Sequence, residues 1–226
     1  MAFGRPRVQR REVTLAEGAP EGATRCPACG EPLFVWVEAE GWGPREKQIV
    51  DRCESCRLAV MHAATPAPEL AVDLLLGAGQ ANGDGAGELV VRASNAASLQ
   101  AWLGAENWAA LRPGSTSLKP TPRAAELLLG ERGLRITRVR QLARPGMAGM
   151  WQTLLNLLTF HRDFAGEALS GRLRPGRGRS RWAFGIDVMV TVLAAVPTAI
   201  LAVALEGGAL LARRGGELEI SARPAT

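Results

Sequence analysis

Four cysteines, and no others, occur in the 226 residues: Cys26-Pro-Ala-Cys29, then 23 residues, then Cys53-Glu-Ser-Cys56. Two C-x-x-C pairs at this separation have the spacing of a structural zinc site. Zinc takes four ligands in a tetrahedron, and one C-x-x-C turn supplies two sulfurs from one side of the ion. The chain between the pairs must fold back to deliver the other two. Leu33-Phe-Val-Trp-Val37 and Gln48-Ile-Val50 are β-prone, and Gly41 with Gly43-Pro44 supplies a turn between them. The expectation is a hairpin between two knuckles, the layout of a zinc ribbon over residues 23–62. The alternatives are two disulfides, four unrelated thiols or redox chemistry. The polar, basic start Met1-Ala-Phe-Gly-Arg-Pro-Arg7 reads as no secretory signal, which favours metal over disulfides. With four thiolates the coordination shell is closed, so the site is structural and His62 is not needed as a ligand.

Charge narrows the function less. The net charge is +5, yet the 27 basic residues include only Lys47 and Lys119 as lysines. An arginine bias with much Ala and Gly and no Tyr fits GC-rich coding as well as a basic binding surface. Arg5, Arg7, Arg10 and Arg11 form one cluster, and Arg172, Arg174, Arg177, Arg179 and Arg181 form another. Both read as solvated, flexible segments, with a nucleic-acid contact as the alternative.

Periodicity divides the rest of the chain. Residues 1–22 read as a disordered basic tail. Residues 69–76 read as a short helix and 77–87 as a Gly-rich loop. Gly87 to Arg92 reads as a strand, and Ser98 caps a helix running to Ala109. Thr121 caps a second helix with Pro122 in its first turn, ended by Gly130 or Gly133. Leu134 to Arg140 alternates as a half-buried strand, Met147 to Leu169 reads as one long amphipathic helix, and Glu217 to Ala222 as a final strand. His161 has no Cys or Ser near it in sequence and reads as a surface or packing residue.

This order of segments resembles the carboxy-terminal half of class I S-adenosylmethionine-dependent methyltransferases, which often carry an amino-terminal zinc ribbon. Gly87-Glu-Leu-Val-Val-Arg-Ala-Ser-Asn95 with Ala96 to Leu99 resembles the family's fifth strand and its turn. Trp108 matches a frequent Trp, Thr121 to Val139 the last helix and sixth strand, and Glu217 to Ala222 the seventh. The resemblance implies an α/β or α+β fold: a small ribbon, an incomplete Rossmann-like domain over 66–146 and 215–226, and a helical insertion over 147–214. The family builds its donor site on a Gly-rich turn after the first strand and a carboxylate about 20 residues on. Here the one Gly-rich candidate, Gly77 to Gly83, lies too close to the next strand for a βαβ crossover. Ser115-Thr-Ser117 stands where the family has a histidine. No catalytic or donor-binding residue carries over, and the site residues are Cys26, Cys29, Cys53 and Cys56.

Val188 to Leu205 contains 18 residues without a charge, about 27 Å as a helix against a hydrocarbon core of about 30 Å. Pro197 divides the stretch, so the expectation is an apolar helical hairpin, Trp182–Val196 and Thr198–Ala212. It dips into one leaflet or packs on the domain, with both ends cytoplasmic and Glu206 reaching headgroups or a partner. The sequence therefore reads as a zinc-binding interaction or scaffold protein, non-catalytic, on the inner face of the plasma membrane. Its partner would be a complete methyltransferase or related enzyme. An active methyltransferase, a nucleic-acid-binding zinc ribbon and a decayed gene product without function are the alternatives.

Overall fold

A computed structural model describes residues 25–40, 47–61, 75, 79–80, 88–112, 118–171 and 181–225. In chain order the elements are β1 (Leu33–Glu40), β2 (Lys47–Cys53), β3 (Ala59–Met61), β4 (Gly79–Gln80), β5 (Leu89–Ser94), α1 (Leu99–Gly104), β6 (Leu118–Lys119) and α2 (Pro122–Gly130). Then follow β7 (Leu134–Gln141), α3 (Ala143–Asn156), α4 (Phe164–Leu169), α5 (Arg181–Leu211) and β8 (Glu217–Pro224). The calls on residues 1–22, the turn at Gly41 and Gly43-Pro44, His62, Ser115 to Ser117 and Arg172 to Arg179 lie outside the described residues, as does most of 69–87.

Helix and strand are mixed in two antiparallel sheets, ordered β1-β2-β3-β6 and β4-β5-β8-β7. Every described strand pair is antiparallel. Of the expected Rossmann-like domain, then, no parallel pair occurs among the described residues. The first sheet does not end with the cysteine module. Val60 and Ala59 of β3 pair with Leu118 and Lys119 of β6, and one apolar core joins Leu58 and Val60 to Leu128 of α2 and Leu218 and Ile220 of β8. In β8, Leu218, Ile220 and Ala222 point into that core while the intervening residues are half-buried, the period-2 pattern of a strand with one covered face.

Local chemistry sets the helix ends. Ser98 Oγ accepts from Ala101 N at 3.1 Å and Thr121 Oγ1 from Ala124 N at 3.1 Å, so each hydroxyl satisfies one free N–H of the first turn. After α2, Gly133 takes φ +65°, a left-handed conformation open to glycine without penalty.

The expected long helix from Met147 to Leu169 is instead two helices, α3 and α4, separated by residues 157–163. The cause is tertiary. Asp187 of α5 takes the N–H groups of Phe160 and His161 at 2.7 and 3.2 Å, and Asn156 Oδ1 takes Asp163 N at 2.9 Å. These side chains replace the helical carbonyl acceptors, and Asp163 turns to φ 57°.

The expected hairpin at Pro197 is also corrected: α5 runs unbroken through it for 31 residues. Carbonyls beside the proline keep donors. Thr198 Oγ1 reaches Ala194 O at 2.6 Å and Ala195 O at 3.2 Å, and the Trp151 indole donates to Ala195 O at 2.9 Å. These bonds hold the turn around Pro197, whose ring lies on the exposed side of the helix.

Candidate metal centre and apolar helix

The two C-x-x-C turns are near-copies of each other. Cys26 N donates to Glu31 O at 2.7 Å and Cys53 N to Leu58 O at 3.0 Å, the same five-residue closure. Gly30 and Arg57, each following the second cysteine of its turn, both adopt positive φ, 72° and 60°. Backbone N–H groups point at sulfur: Ala28 and Cys29 at Cys26, Glu31 at Cys29 and Leu58 at Cys56.

β1 and β2 bring the turns together. Cys53 ends β2 opposite Leu33, and Thr121 Oγ1, at the cap of α2, donates to Cys56 O at 2.6 Å. The sulfurs lie 3.5 Å (Cys26–Cys56), 3.4 Å (Cys29–Cys53) and 3.6 Å (Cys29–Cys56) apart, all four within 4.8 Å of one another. Disulfides need about 2.05 Å, and all four cysteines are free. A tetrahedron with metal–sulfur bonds of about 2.3 Å has edges of about 3.8 Å, so the cluster is compatible with a metal ion such as zinc. The electrostatics agree. Cys26 is pushed down to about 5, chiefly by the hydrogen bond from Cys56, while that bond and burial push Cys56 up. Burial also raises Cys29. A cation among the sulfurs would replace the protons they share.

The sequence pointed to Cys26, Cys29, Cys53 and Cys56, and the fold brings all four together. The Gly77–Gly83 candidate is described only at Gly79 and Gln80, which pair antiparallel with Val91 and Val90 of β5. This is not the strand end and helix start that a nucleotide-type turn requires.

Sequence reasoning missed the role of polar residues on α5. Its acids are fully buried. Glu206 accepts from Gln100 Nε2 at 2.8 Å and Gly216 N at 2.7 Å. The expectation that Glu206 reaches headgroups or a partner is therefore corrected: it joins α5 to α1 and to the start of β8. Asp187, likewise 0% exposed, receives His161 Nδ1 at 2.5 Å, so His161 is partnered. Thr191 Oγ1 and Thr198 are buried on the same helix. The outward side is apolar: Val192 and Leu193 are each 71% exposed, Val196 and Ile200 each 68%. Trp182 is exposed beside Phe160 at one end, and Arg213 and Arg214 follow the other. The helix is long and apolar enough to cross a membrane, with 11% of its apolar window buried.

Compared with protein-family models, with curated proteins and with solved structures, the chain matches none.

Proposed function

We propose that this chain is a zinc-ribbon protein that rests on a membrane surface and holds a partner protein there, with a methyltransferase-like domain that performs no chemistry of its own. The observation that carries the membrane reading is the inverted polarity of α5. A helix of a water-soluble domain turns its polar residues outward. Here Asp187, Thr191, Thr198 and Glu206 turn inward and the exposed side is hydrocarbon, the arrangement expected where the surroundings are lipid.

The packing favours a helix lying in the membrane plane over one crossing it. α3 packs against both α5 and α1: Met150 and Leu154 share one apolar cluster with Ala202 of α5 and with Leu99 and Leu103. Thr153 Oγ1 accepts from Ala109 N at 3.1 Å, Asn156 Nδ2 donates to Asn107 O at 3.1 Å, and Arg162 Nε reaches Asn107 Oδ1 at 3.3 Å. The polar domain therefore follows α5 from Glu206 to Asp187, about 28 Å of helix. Lipid meets one side only, and both ends of α5 stay on the face they left, as an interfacial helix requires.

Zinc is the ion best suited to four thiolates in a closed shell, where it organises the fold and leaves no position for water. The methyltransferase likeness is supported by β8 pairing with both β5 and β7, and by the caps at Ser98 and Thr121 falling where the resemblance puts the helices. The non-catalytic reading is supported by β4, an antiparallel strand on the edge of β5 where a donor-binding sheet would continue. The partner would be a complete methyltransferase or related enzyme, met at the cytoplasmic face of the membrane.

The test is co-flotation of the purified, zinc-loaded chain with phosphatidylcholine vesicles. The chain is expected to float and to stay bound after a high-salt wash, because the contact is apolar. A chain left at the bottom of the gradient overturns the membrane reading. Saturable micromolar binding of S-adenosylmethionine would replace the scaffold reading with an active enzyme.

A further inference from the structure

β7 reads Leu134-Arg-Ile-Thr-Arg-Val-Arg-Gln141, with one arginine at an odd position and two at even positions. Strict alternation would divide them between the two faces of the sheet. A bulge prevents this. The register against β8 shifts between Ile136 and Arg138, so Thr137 is the extra residue. Its hydroxyl lies 3.2 Å from both Ser221 O and Glu88 Oε1. Arg135, Arg138 and Arg140 then stand opposite Arg223, Ser221 and Glu219. Those residues alternate with Leu218, Ile220 and Ala222, which face the core, so all three β7 arginines lie on the outer face. One arginine falls opposite every second residue of β8, a spacing of about 7 Å.

The nearby carboxylates are already engaged. Arg92 of β5 holds Glu219 at 2.8 Å, Arg223 holds Glu88 at 3.5 Å, and Glu217 accepts from Ser94 Oγ at 2.7 Å. Arg135, Arg138 and Arg140 are exposed and form no ion pair among the described residues. β7 is also the last strand of its sheet, and no described strand pairs with its free edge. The inner face is incomplete beside it as well: Val139 stands opposite fully buried Ile220 yet is 40% exposed. One more strand would take up the N–H and C=O groups of that edge, cover Val139 and set its outward residues against the arginines. A second copy of β7 would bring arginine against arginine, so the edge rejects its own kind and admits an acidic strand.

We propose that the free edge of β7 accepts an extended segment of a partner protein, with Asp or Glu at every second position facing Arg135, Arg138 and Arg140 and apolar residues between them on the side of Val139. The proposal rests on the partner-holding reading above and names the surface that does the holding. Main-chain bonds supply the affinity of such an added strand, and the arginine row supplies the choice of sequence.

The probe is a capped, fluorescent peptide of alternating Val and Glu, titrated into the zinc-loaded full chain at low ionic strength and followed by anisotropy. A peptide of the same composition in blocks, Val then Glu, measures charge without alternation, and oligothymidylate measures a nucleic-acid contact. The alternating peptide is expected to bind about tenfold or more tightly than the block peptide, and to slow amide hydrogen exchange along residues 134–141. Arg138→Gln and Arg140→Gln are each expected to weaken it by about two- to fivefold and together by about tenfold. Arg123→Gln, on exposed surface of α2, is expected to leave it unchanged. Arg138→Glu combined with Arg140→Glu is expected to lose this peptide and gain one of alternating Val and Lys, a gain that misfolding does not produce. All variants are expected to float with vesicles as wild type does. This keeps the test apart from the membrane reading, as titration with S-adenosylmethionine keeps it apart from the scaffold reading. Three results overturn the proposal: a wild type that ignores the alternating peptide or binds the block peptide as well, variants no weaker than Arg123→Gln, or oligothymidylate bound through these arginines in place of the peptide.

Discussion

Replacing Val192, Leu193, Val196 and Ile200 together by Ser separates a lipid-facing helix from a core helix. Each of these side chains is 68–71% exposed, so most of its apolar area is free to enter lipid. Full burial of such a side chain stabilises by about 1.5–3 kcal/mol, and about 70% of that leaves about 1–2 kcal/mol each. Four together contribute about 4–8 kcal/mol, a loss of about a thousandfold or more in partition onto phosphatidylcholine vesicles. The same variant touches little of the protein, and surface substitutions of this kind change stability by about 0.5 kcal/mol or less each. Flotation measures the partition; zinc content and the thermal midpoint measure the fold. The expected outcome is a folded, zinc-loaded chain that no longer floats. A variant that floats like wild type would refute the assignment of this surface to lipid. One that unfolds would show that these residues are core.

Cys26→Ser or Cys56→Ser should each abolish stoichiometric zinc, about one ion per chain by elemental analysis, and open residues 25–61 to protease; an unchanged digestion pattern would remove the metal from the fold. Glu206→Gln keeps the shape but places an amide against Gln100 Nε2, which already donates to Gly146 O at 2.6 Å. It should cost about 1–3 kcal/mol in denaturant unfolding. Gly146→Ala drives a Cβ into the Glu206 carboxylate and should lower the free energy of unfolding by about 1–3 kcal/mol. Arg57→Gly relieves a left-handed φ of 60° and should raise the free energy of unfolding by about 1 kcal/mol while zinc content stays the same.

What the sequence made legible was what neighbouring residues decide among themselves. The cysteine turns follow from a two-residue spacing, the helix starts from the hydroxyls of Ser98 and Thr121, and β7 and β8 from alternation over a few positions. What it hid was set by residues far away. The break between α3 and α4 depends on Asp187, which bonds Phe160 across 27 positions. The continuity of α5 through Pro197 depends in part on Trp151, 44 positions from Ala195. The pairing of β3 with Leu118 and Lys119 joins strands whose separation no local pattern records. The inward placement of Glu206 required knowing that Gln100 and Gly216 wait for it. Proline and carboxylate were each read by their usual cost in isolation, and tertiary hydrogen bonds offset both.

The strand that completes the second sheet is the one that comes off the apolar helix. β8 sits between β5 and β7, and its Glu217 meets Ser94 across 123 positions of chain. Closing so large a loop is slow, and until it closes β5 and β7 have no common neighbour. During synthesis, α5 leaves the ribosome before β8 does. The sheet therefore acquires its inner strand β8 only after the long apolar helix has been made, and the order of emergence allows that helix to pack before the domain closes.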